Sequence, residues 1–350
     1  MLKLSTKSFR SSLPIRAIRA GFYSDKYLVR SRTILQKEEM HPEVVMQIFC
    51  KREALLCGVN ETVACLRAGG GPRGRFKVYS LEEGARIRPW ETAMHLLGDY
   101  SAFIHLETLY LGILARRTSI ATAVRNAVEA AQGRPVLFFS ARFDHFLNES
   151  GDGYAAKLGG ASGVSTKANT AWAPGEQAFG TLPHGLIAAF GGDTVKASLA
   201  FDRHIPRPIR RIVLVDFEND CVKTSLEVAR ALREKLWGVR LDTSRDIRDR
   251  SVKGRRLESC GVSPELVWKV RNALDREGFR WVKLIVSGGF NAERVRDFVR
   301  RHVPFDAVGI GSAFFHERIE FTADIVKVNG KPCAKVGRSY RPNPRLKRFL

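Results

Sequence analysis

Between residues 134 and 318 the chain repeats one pattern, a short run that is apolar at nearly every position followed by a longer amphipathic stretch. The runs are 135–140 (PVLFFS), 211–217 (RIVLVDF), 238–242 (GVRLD), 281–287 (WVKLIVS) and 307–311 (AVGIG). Runs this short and this rich in β-branched and aromatic residues predict strands buried on both faces. The intervening stretches 222–236, 264–278 and 291–301 carry helical spacing. Ser263-Pro264 reads as an N-cap followed by proline at the first helical position, and Asn291 as a second N-cap with Glu293 in its first turn. Strands buried on both faces and joined through helices predict a parallel sheet with right-handed crossovers. The span 134–318 has room for a barrel of about six to eight such units. The first 118 residues are mixed. Segments 61–66 (ETVACL) and 75–80 (RFKVYS) read as strands with a turn at Gly69-Gly70-Gly71-Pro72 between them, and the chain turns helical from Ser101 to Ala131.

Parallel α/β barrels carry their working residues at the C-terminal ends of strands and in the loops that follow. Two successive strands here end in glycine-bearing loops, Ser287-Gly288-Gly289-Phe290 and Gly311-Ser312-Ala313-Phe314. Glycine lets backbone N–H groups approach oxygens closely, and a helix N-terminus adds a positive field, so the pair predicts a phosphate site. Arg240 and Asp242 lie two residues apart and so share one face of their strand, an arrangement suited to an anion and to Mg²⁺ or a ribose hydroxyl. A structural ion pair is the plainer alternative. Phe139 and Arg142, just past the first run, offer a stacking surface and a carboxylate clamp. Thr181 and His184 stand three apart in a loop rich in Gly and Pro. Neither a G-x-S-x-G nucleophile elbow nor a P-loop occurs.

Composition narrows the class. With 44% apolar and 27% charged residues over 350 positions, the chain reads as a folded protein of about two domains. No apolar run approaches the ~20 residues that cross a bilayer. The six cysteines show no C-x-x-C spacing, which argues against structural zinc and for reduced thiols in the cytoplasm. The net charge of +22 invites a nucleic-acid reading. More than half of that excess sits at the ends, +5 in residues 1–24 and +8 in 327–350, both free of acids. The Arg- and Ser-rich first segment reads as a transit-type leader or a plain basic extension. The basic stretch 245–256 holds Asp246 and Asp249 and no aromatic, so it reads as a solvated loop. A basic nucleic-acid-binding protein is the alternative from outside the enzymes.

Taken in order, Ser24-Asp25-Lys26-Tyr27, Gly-Thr-Leu-Pro-His at 180–184, Arg-Leu-Asp at 240–242, Ser-Gly-Gly-Phe at 287–290, Gly-Ile-Gly-Ser at 309–312 and the tail 321–346 resemble the nicotinate phosphoribosyltransferase family. The resemblance implies the type II phosphoribosyltransferase fold. That is an N-terminal open α/β sandwich, here 1–118 joined by 319–350, beside an irregular α/β barrel of about seven strands, here 119–318. It implies a homodimer or higher homo-oligomer whose subunits share active sites; the charge placement, the cysteines and the lack of a long apolar run add the expectation of a cytoplasmic protein with no nucleic acid or membrane partner. It implies roles by residue as well. Tyr27 would stack on the pyridine across the interface, opposite Phe139. Arg142, Thr181 and Arg240 would surround the nicotinate and pyrophosphate groups. Asp242 would bind ribose or its Mg²⁺, and Gly288, Gly289, Gly311 and Ser312 the 5′-phosphate. His184 matches the histidine phosphorylated when the reaction is coupled to ATP. Two positions depart from the family pattern: Thr243-Ser244-Arg245-Asp246 stands where many members carry Ser-Gly-Asp, and Gly185 where many carry Ser.

The implied reaction joins nicotinate to phosphoribosyl pyrophosphate, giving nicotinate mononucleotide and pyrophosphate in NAD biosynthesis. Its barrier is departure of pyrophosphate from the anomeric carbon, so orientation and electrostatics should dominate. Quinolinate and nicotinamide are the alternative pyridine substrates.

Overall fold

The computed structural model describes residues 13–70, 75–173, 175–252 and 259–350. They fall into two compact units, one running to Thr122 and resuming at Glu317–Leu350, the other Ala123–His316.

The first unit is built on β1 (Glu43–Cys50), the short β2 (Ala54–Leu55), β3 (Phe76–Ser80), the short β4 (Arg86–Ile87) and β5 (Thr92–Asp99). Its main sheet is antiparallel, in the order Lys331–Pro332, Phe321–Val328, β1, β5, β3, Lys347–Arg348. Val44, Met46 and Ile48 of β1 and Phe76 and Val78 of β3 alternate with period two, and the face they make packs on Val59, Val63, Leu66, Phe103 and Tyr110. Each such side chain, fully buried, contributes about 1.5–3 kcal/mol.

Segment 61–66 is a correction to the sequence reading: it lies inside the helix Val59–Gly69, not in a strand. Eight of the eleven residues of that helix are buried, so no polar face marks its period. Its start is held from a distance. The Glu83 carboxylate accepts from the N–H groups of Gly58 at 2.5 Å and Asn60 at 2.8 Å, a cap that local sequence does not display. Gly70 is the C-cap of this helix, while Gly71 and Pro72 of the expected turn lie outside the described residues. β3 pairs with β5 and Lys347–Arg348 instead of with 61–66.

Three of the eight basic residues of the acid-free C-terminal stretch pair with carboxylates of their own unit. Arg338 pairs with Asp324 at 2.7 Å, Arg345 with Glu91 at 2.7 Å and Lys347 with Glu82 at 2.6 Å, while Lys327 lies 4.1 Å over the ring of Tyr340.

The second unit is a parallel barrel made of β6 (Val136–Phe138), β7 (Gly163–Val164), β8 (Arg211–Leu214), β9 (Leu236–Leu241), β10 (Lys283–Val286) and β11 (Ala307–Ile310). These six strands pair in the order β7-β6-β11-β10-β9-β8. Residues 179–182 bridge the two edges. The Phe179 N–H donates to Val164 of β7 at 2.7 Å, the Leu182 N–H donates to Ile212 of β8 at 3.0 Å, and Leu182 bridges Val213. An irregular seventh member thereby closes the ring. Leu137, Ile212, Ile285 and Ala307, with Phe139, Phe179 and Trp237 against them, fill the interior. The expected strands and helices of this unit occur with ends shifted by a few residues, most of them shorter, while the strand expected at 238–242 begins earlier, at Leu236. Both expected caps form: Ser263 Oγ accepts from Leu266 N at 3.2 Å and Asn291 Oδ1 from Arg294 N at 2.9 Å. Among the described residues no helix is long and apolar enough to cross a membrane.

Candidate active site

The strands run in one direction, so their C-terminal ends converge on one mouth. There a pocket of about 420 Å³ opens. Nine of the candidates line it: Phe139, Arg142, Thr181, Arg240, Asp242, Gly288, Gly289, Gly311 and Ser312.

β9 delivers Arg240 and Asp242 with side chains only 17% and 20% exposed. Arg240 donates from Nη1 to Thr181 Oγ1 at 3.0 Å and from Nη2 to Asp242 Oδ2 at 3.4 Å, and its guanidinium lies 5.5 Å over the Phe139 ring. Its Nε has no partner among the described residues. Burial lowers the guanidinium's pKa, opposed by the fields of Asp242 and Asp216 and assisted by that of Arg142. Asp242 accepts through Oδ1 from Ser287 Oγ at 2.8 Å. The ion pair is therefore structural and faces the pocket as well, so both sequence alternatives describe it.

β10 ends in the glycine loop. Gly288 has φ +81° and Gly289 φ +71°, the left-handed region that glycine occupies without strain. A Cβ on Gly288 would sit 3.1 Å from the Asp242 carbonyl and 3.2 Å from that of Thr243. The carbonyls of this loop are tied back. Arg294 Nη1 donates to Gly288 O at 3.1 Å and its Nη2 to Val262 O at 2.8 Å, and the Arg245 guanidinium donates to Gly289 O. The amide N–H groups of Gly288, Gly289, Gly311 and Ser312 have no acceptor among the described residues. Unpaired N–H groups lining one polar pocket suit an anion. Within β11, Gly309 lies against the Phe139 ring, and just after it Gly311 lies against that of Phe143, positions where a Cβ would collide with the aromatic ring. Phe139 in turn packs on Phe179 at 5.9 Å.

His184 opens the short helix His184–Ala189 immediately after Pro183 of the pocket wall. Its Nε2 lies 3.0 Å from Asp216 Oδ1, with side-chain exposures of 43% and 8%. The Asp216 hydrogen bond raises the imidazole pKa above its ordinary value, against a smaller effect of burial. Asp216 lies two residues past the end of β8, next to last in the run 211–217, so the strand-end rule that found Asp242 points to it, yet the sequence reading passed over it. Phe179 and Ser165 on the pocket wall were also missed, as were Arg294 and Arg245 behind the glycine loop. Arg294 carries no such signal, since it sits on the helix Ala292–Arg300 and acts through a carbonyl contact.

Tyr27 is not in this pocket. It belongs to the first unit, 61% exposed, and lines a different cleft with Tyr100, Glu107 and Asp324. No cluster of three or more metal-ligating side chains occurs among the described residues. The cysteines are unbonded, and burial pushes the Cys65 thiol up to about 12.

The arrangement can seat one anion on the backbone amides, a second on Arg240 and Arg142, and a flat ring against Phe139. Residues 27–118 match the family described as "Quinolinate phosphoribosyl transferase, N-terminal domain". The nicotinate phosphoribosyltransferase pncB2 of Mycobacterium tuberculosis is 31% identical over 250 residues, covering 71% of this chain and 50% of that protein. The chain spans about half the length of the curated relatives it matches. Among solved structures, a nicotinate-nucleotide pyrophosphorylase from Pyrococcus furiosus is 34% identical with a TM-score of 0.81, over 93% of this chain and 80% of that one. Human nicotinic acid phosphoribosyltransferase shares the fold, with a TM-score of 0.68 at 18% identity over 89% of this chain and 76% of that one.

Proposed function

We propose, on the premise that this chain belongs to the nicotinate phosphoribosyltransferase family, that it joins nicotinate to 5-phosphoribosyl 1-pyrophosphate, giving nicotinate mononucleotide and pyrophosphate. The observation that carries this reading is the incompletely paired Arg240, held beside Asp242 and Thr181 across the pocket from unpaired amides on two glycine loops. The spacing suits a ligand with an anion at each end.

In the proposed step the pyridine nitrogen forms a bond to the anomeric carbon as the bond from that carbon to pyrophosphate breaks. The amides of Gly288, Gly289, Gly311 and Ser312 hold the 5′-phosphate. Arg240 stabilises charge on the departing pyrophosphate, and Thr181 fixes the guanidinium for that task. Arg142 binds the pyridine carboxylate while Phe139 carries the ring. Among the described residues Asp242 is the one carboxylate on the pocket wall, and both its oxygens already have protein partners. That fits an Mg²⁺ bound mainly by substrate phosphates and water, with Asp242 as its protein contact. The ion would supply further charge neutralisation on the leaving group.

The proposal extends to ATP acting through phosphorylation of His184, and to a cytoplasmic homo-oligomer in which the exposed Tyr27 stacks on pyridine in a neighbouring subunit's pocket. Quinolinate is the second reading, favoured by the family matched at residues 27–118. It requires a cation for a second carboxylate. Arg142 and Arg240 are the charged donors on the wall, and Arg240 is committed to pyrophosphate, so nicotinate is preferred. Incubating the protein with phosphoribosyl pyrophosphate and each of nicotinate, nicotinamide and quinolinate, with and without ATP and Mg²⁺, tests all of this by chromatography. Nicotinate mononucleotide from nicotinate supports the proposal. Turnover of quinolinate alone or nicotinamide alone overturns the substrate assignment.

A further inference from the structure

A second concavity lies at the other end of the barrel, where β8, β9 and β10 begin. Its volume is about 1280 Å³, above the ~300–1,000 Å³ usual for small-molecule sites. The last turn of the helix Thr194–His204, the loop leading to β8, the start of β9 and Trp281 line it.

Its charges are unevenly balanced. Asp202 is taken up by Arg211 at 3.0 Å and Lys235 at 2.7 Å. Arg203, Arg207 and Arg210 are exposed and have no carboxylate partner among the described residues, and Glu234 is the other acid on the wall. Arg210 lies 4.4 Å over the ring of Trp237. Trp281 is 43% exposed, with Phe279 set edge-on to it at 5.6 Å. The helix dipole accounts for Arg203 in a last helical turn. It does not account for Arg207, Arg210 or an indole left open to solvent.

We propose that this groove binds single-stranded nucleic acid, a function separate from the pocket at the barrel mouth and independent of the reading given for it. A cationic groove that follows a phosphate backbone, together with an aromatic face on which a base stacks, is the chemistry of sequence-tolerant single-strand binding. The cations come from three successive places, Arg203 in the last helical turn, Arg207 in the turn 206–209 and Arg210 just before β8, and the groove exceeds the volume one nucleotide needs. Both features favour a strand over a free nucleotide. Stacking on Trp281 requires an unpaired base, which favours a single strand over a duplex. The sequence reading weighed nucleic acid at 245–256 and found no aromatic there; here the aromatics come from the starts of β9 and β10, far from 203–210 in the chain.

The test is fluorescence anisotropy of labelled oligouridylate and oligothymidylate of about 15 nucleotides with the full-length protein at about 0.15 M salt. Arg207→Ala/Arg210→Ala is expected to weaken binding about tenfold and to reduce the slope of log K against log salt by about 1.4, for two lost phosphate contacts. Trp281→Ala is expected to weaken binding about tenfold with the salt slope unchanged. Arg207→Lys/Arg210→Lys should restore most of the affinity. All three variants should keep the melting temperature and pocket activity of the parent. Parental strand affinity in either alanine variant overturns the proposal. So does competition by inorganic polyphosphate or duplex DNA at equal charge as effective as that by the strand, or binding of ATP without binding of either strand.

Discussion

Arg240→Ala is the sharpest perturbation of the pocket. The guanidinium has five N–H donors, of which one reaches Thr181 and one reaches Asp242 at the outer limit of a hydrogen bond, leaving three without an acceptor among the described residues. A buried cation with spare donors costs desolvation in the free protein and recovers it when an anion arrives. Losing one charge-assisted bond to the leaving pyrophosphate should cost about 1.5–3 kcal/mol. At 1.36 kcal/mol per tenfold, that is about a 10- to 150-fold fall in kcat/KM. The free protein should feel the change far less, because Asp242 keeps Ser287 as a donor and the buried charge is gone. A melting temperature within about 2 °C of the parent corresponds to at most ~1.5 kcal/mol in a chain of this size. Arg240→Lys retains charge without the planar fork and should fall between the two, while Arg240→Met separates loss of charge from loss of bulk. The assay is initial-rate pyrophosphate release at varied phosphoribosyl pyrophosphate, with thermal melts alongside. Parental kcat/KM in folded Arg240→Ala would remove Arg240 from the transition state and with it the assignment of the pocket.

Three further perturbations probe different parts of the molecule. Gly288→Ala places a side chain at φ +81° against two carbonyls; we expect about 2 kcal/mol of destabilisation in denaturant titration and a raised KM for phosphoribosyl pyrophosphate with the pyridine KM little changed. His184 should titrate, by NMR, above its ordinary value of about 6.5, and Asp216→Asn should bring it back down. The stability this pair contributes is present below that ordinary value and lost as pH rises through the raised one, so the melting difference between parent and Asp216→Asn should shrink in alkaline buffer. Burial, followed by the fields of Asp324 and Asp25, pushes the Glu107 carboxyl up to about 7. Folding then favours its protonated form, stability falls as pH rises between about 4.5 and 7, and Glu107→Gln should be stabilising by up to about 3 kcal/mol at pH 8 and near neutral at pH 4.

The barrel was the legible part of the chain. Its strands are apolar on both faces, its helices begin at local caps, and both signals lie within a few residues of the structure they specify. The pocket inherited that legibility, because a parallel barrel converts strand ends into neighbours: Arg240, Gly288 and Gly311 are far apart in sequence and line one wall. What escaped was decided over longer distances. The helix Val59–Gly69 read as a strand because it is buried on nearly every side and capped by Glu83. Asp216 obeyed the strand-end rule and was overlooked. Arg294 works by holding a carbonyl, a contact that no residue type announces.

The charge excess shows how far total charge misleads and where it informs. The C-terminal stretch, the most basic part of the chain by composition, closes the first unit's sheet with Arg338, Arg345 and Lys347 each set against a carboxylate from elsewhere in the chain. Such exposed pairs contribute little stability, about 0–1 kcal/mol each, but each removes one cation from those free to attract a ligand. Arg240 is the opposite case. It is a single cation, nearly lost in a total of +22, yet buried and only partly compensated, so its field acts in a region of low dielectric where an anion gains most. Arg207 and Arg210 stand between the two, exposed and without a carboxylate among the described residues, with Arg210 over the half-buried Trp237 ring in a groove that exposed Trp281 also lines. Affinity for anions in this molecule should therefore follow the cations that lack carboxylates, among them those at the mouth of the barrel and at its base, and be nearly indifferent to removal of the paired Arg338, Arg345 and Lys347 of the tail.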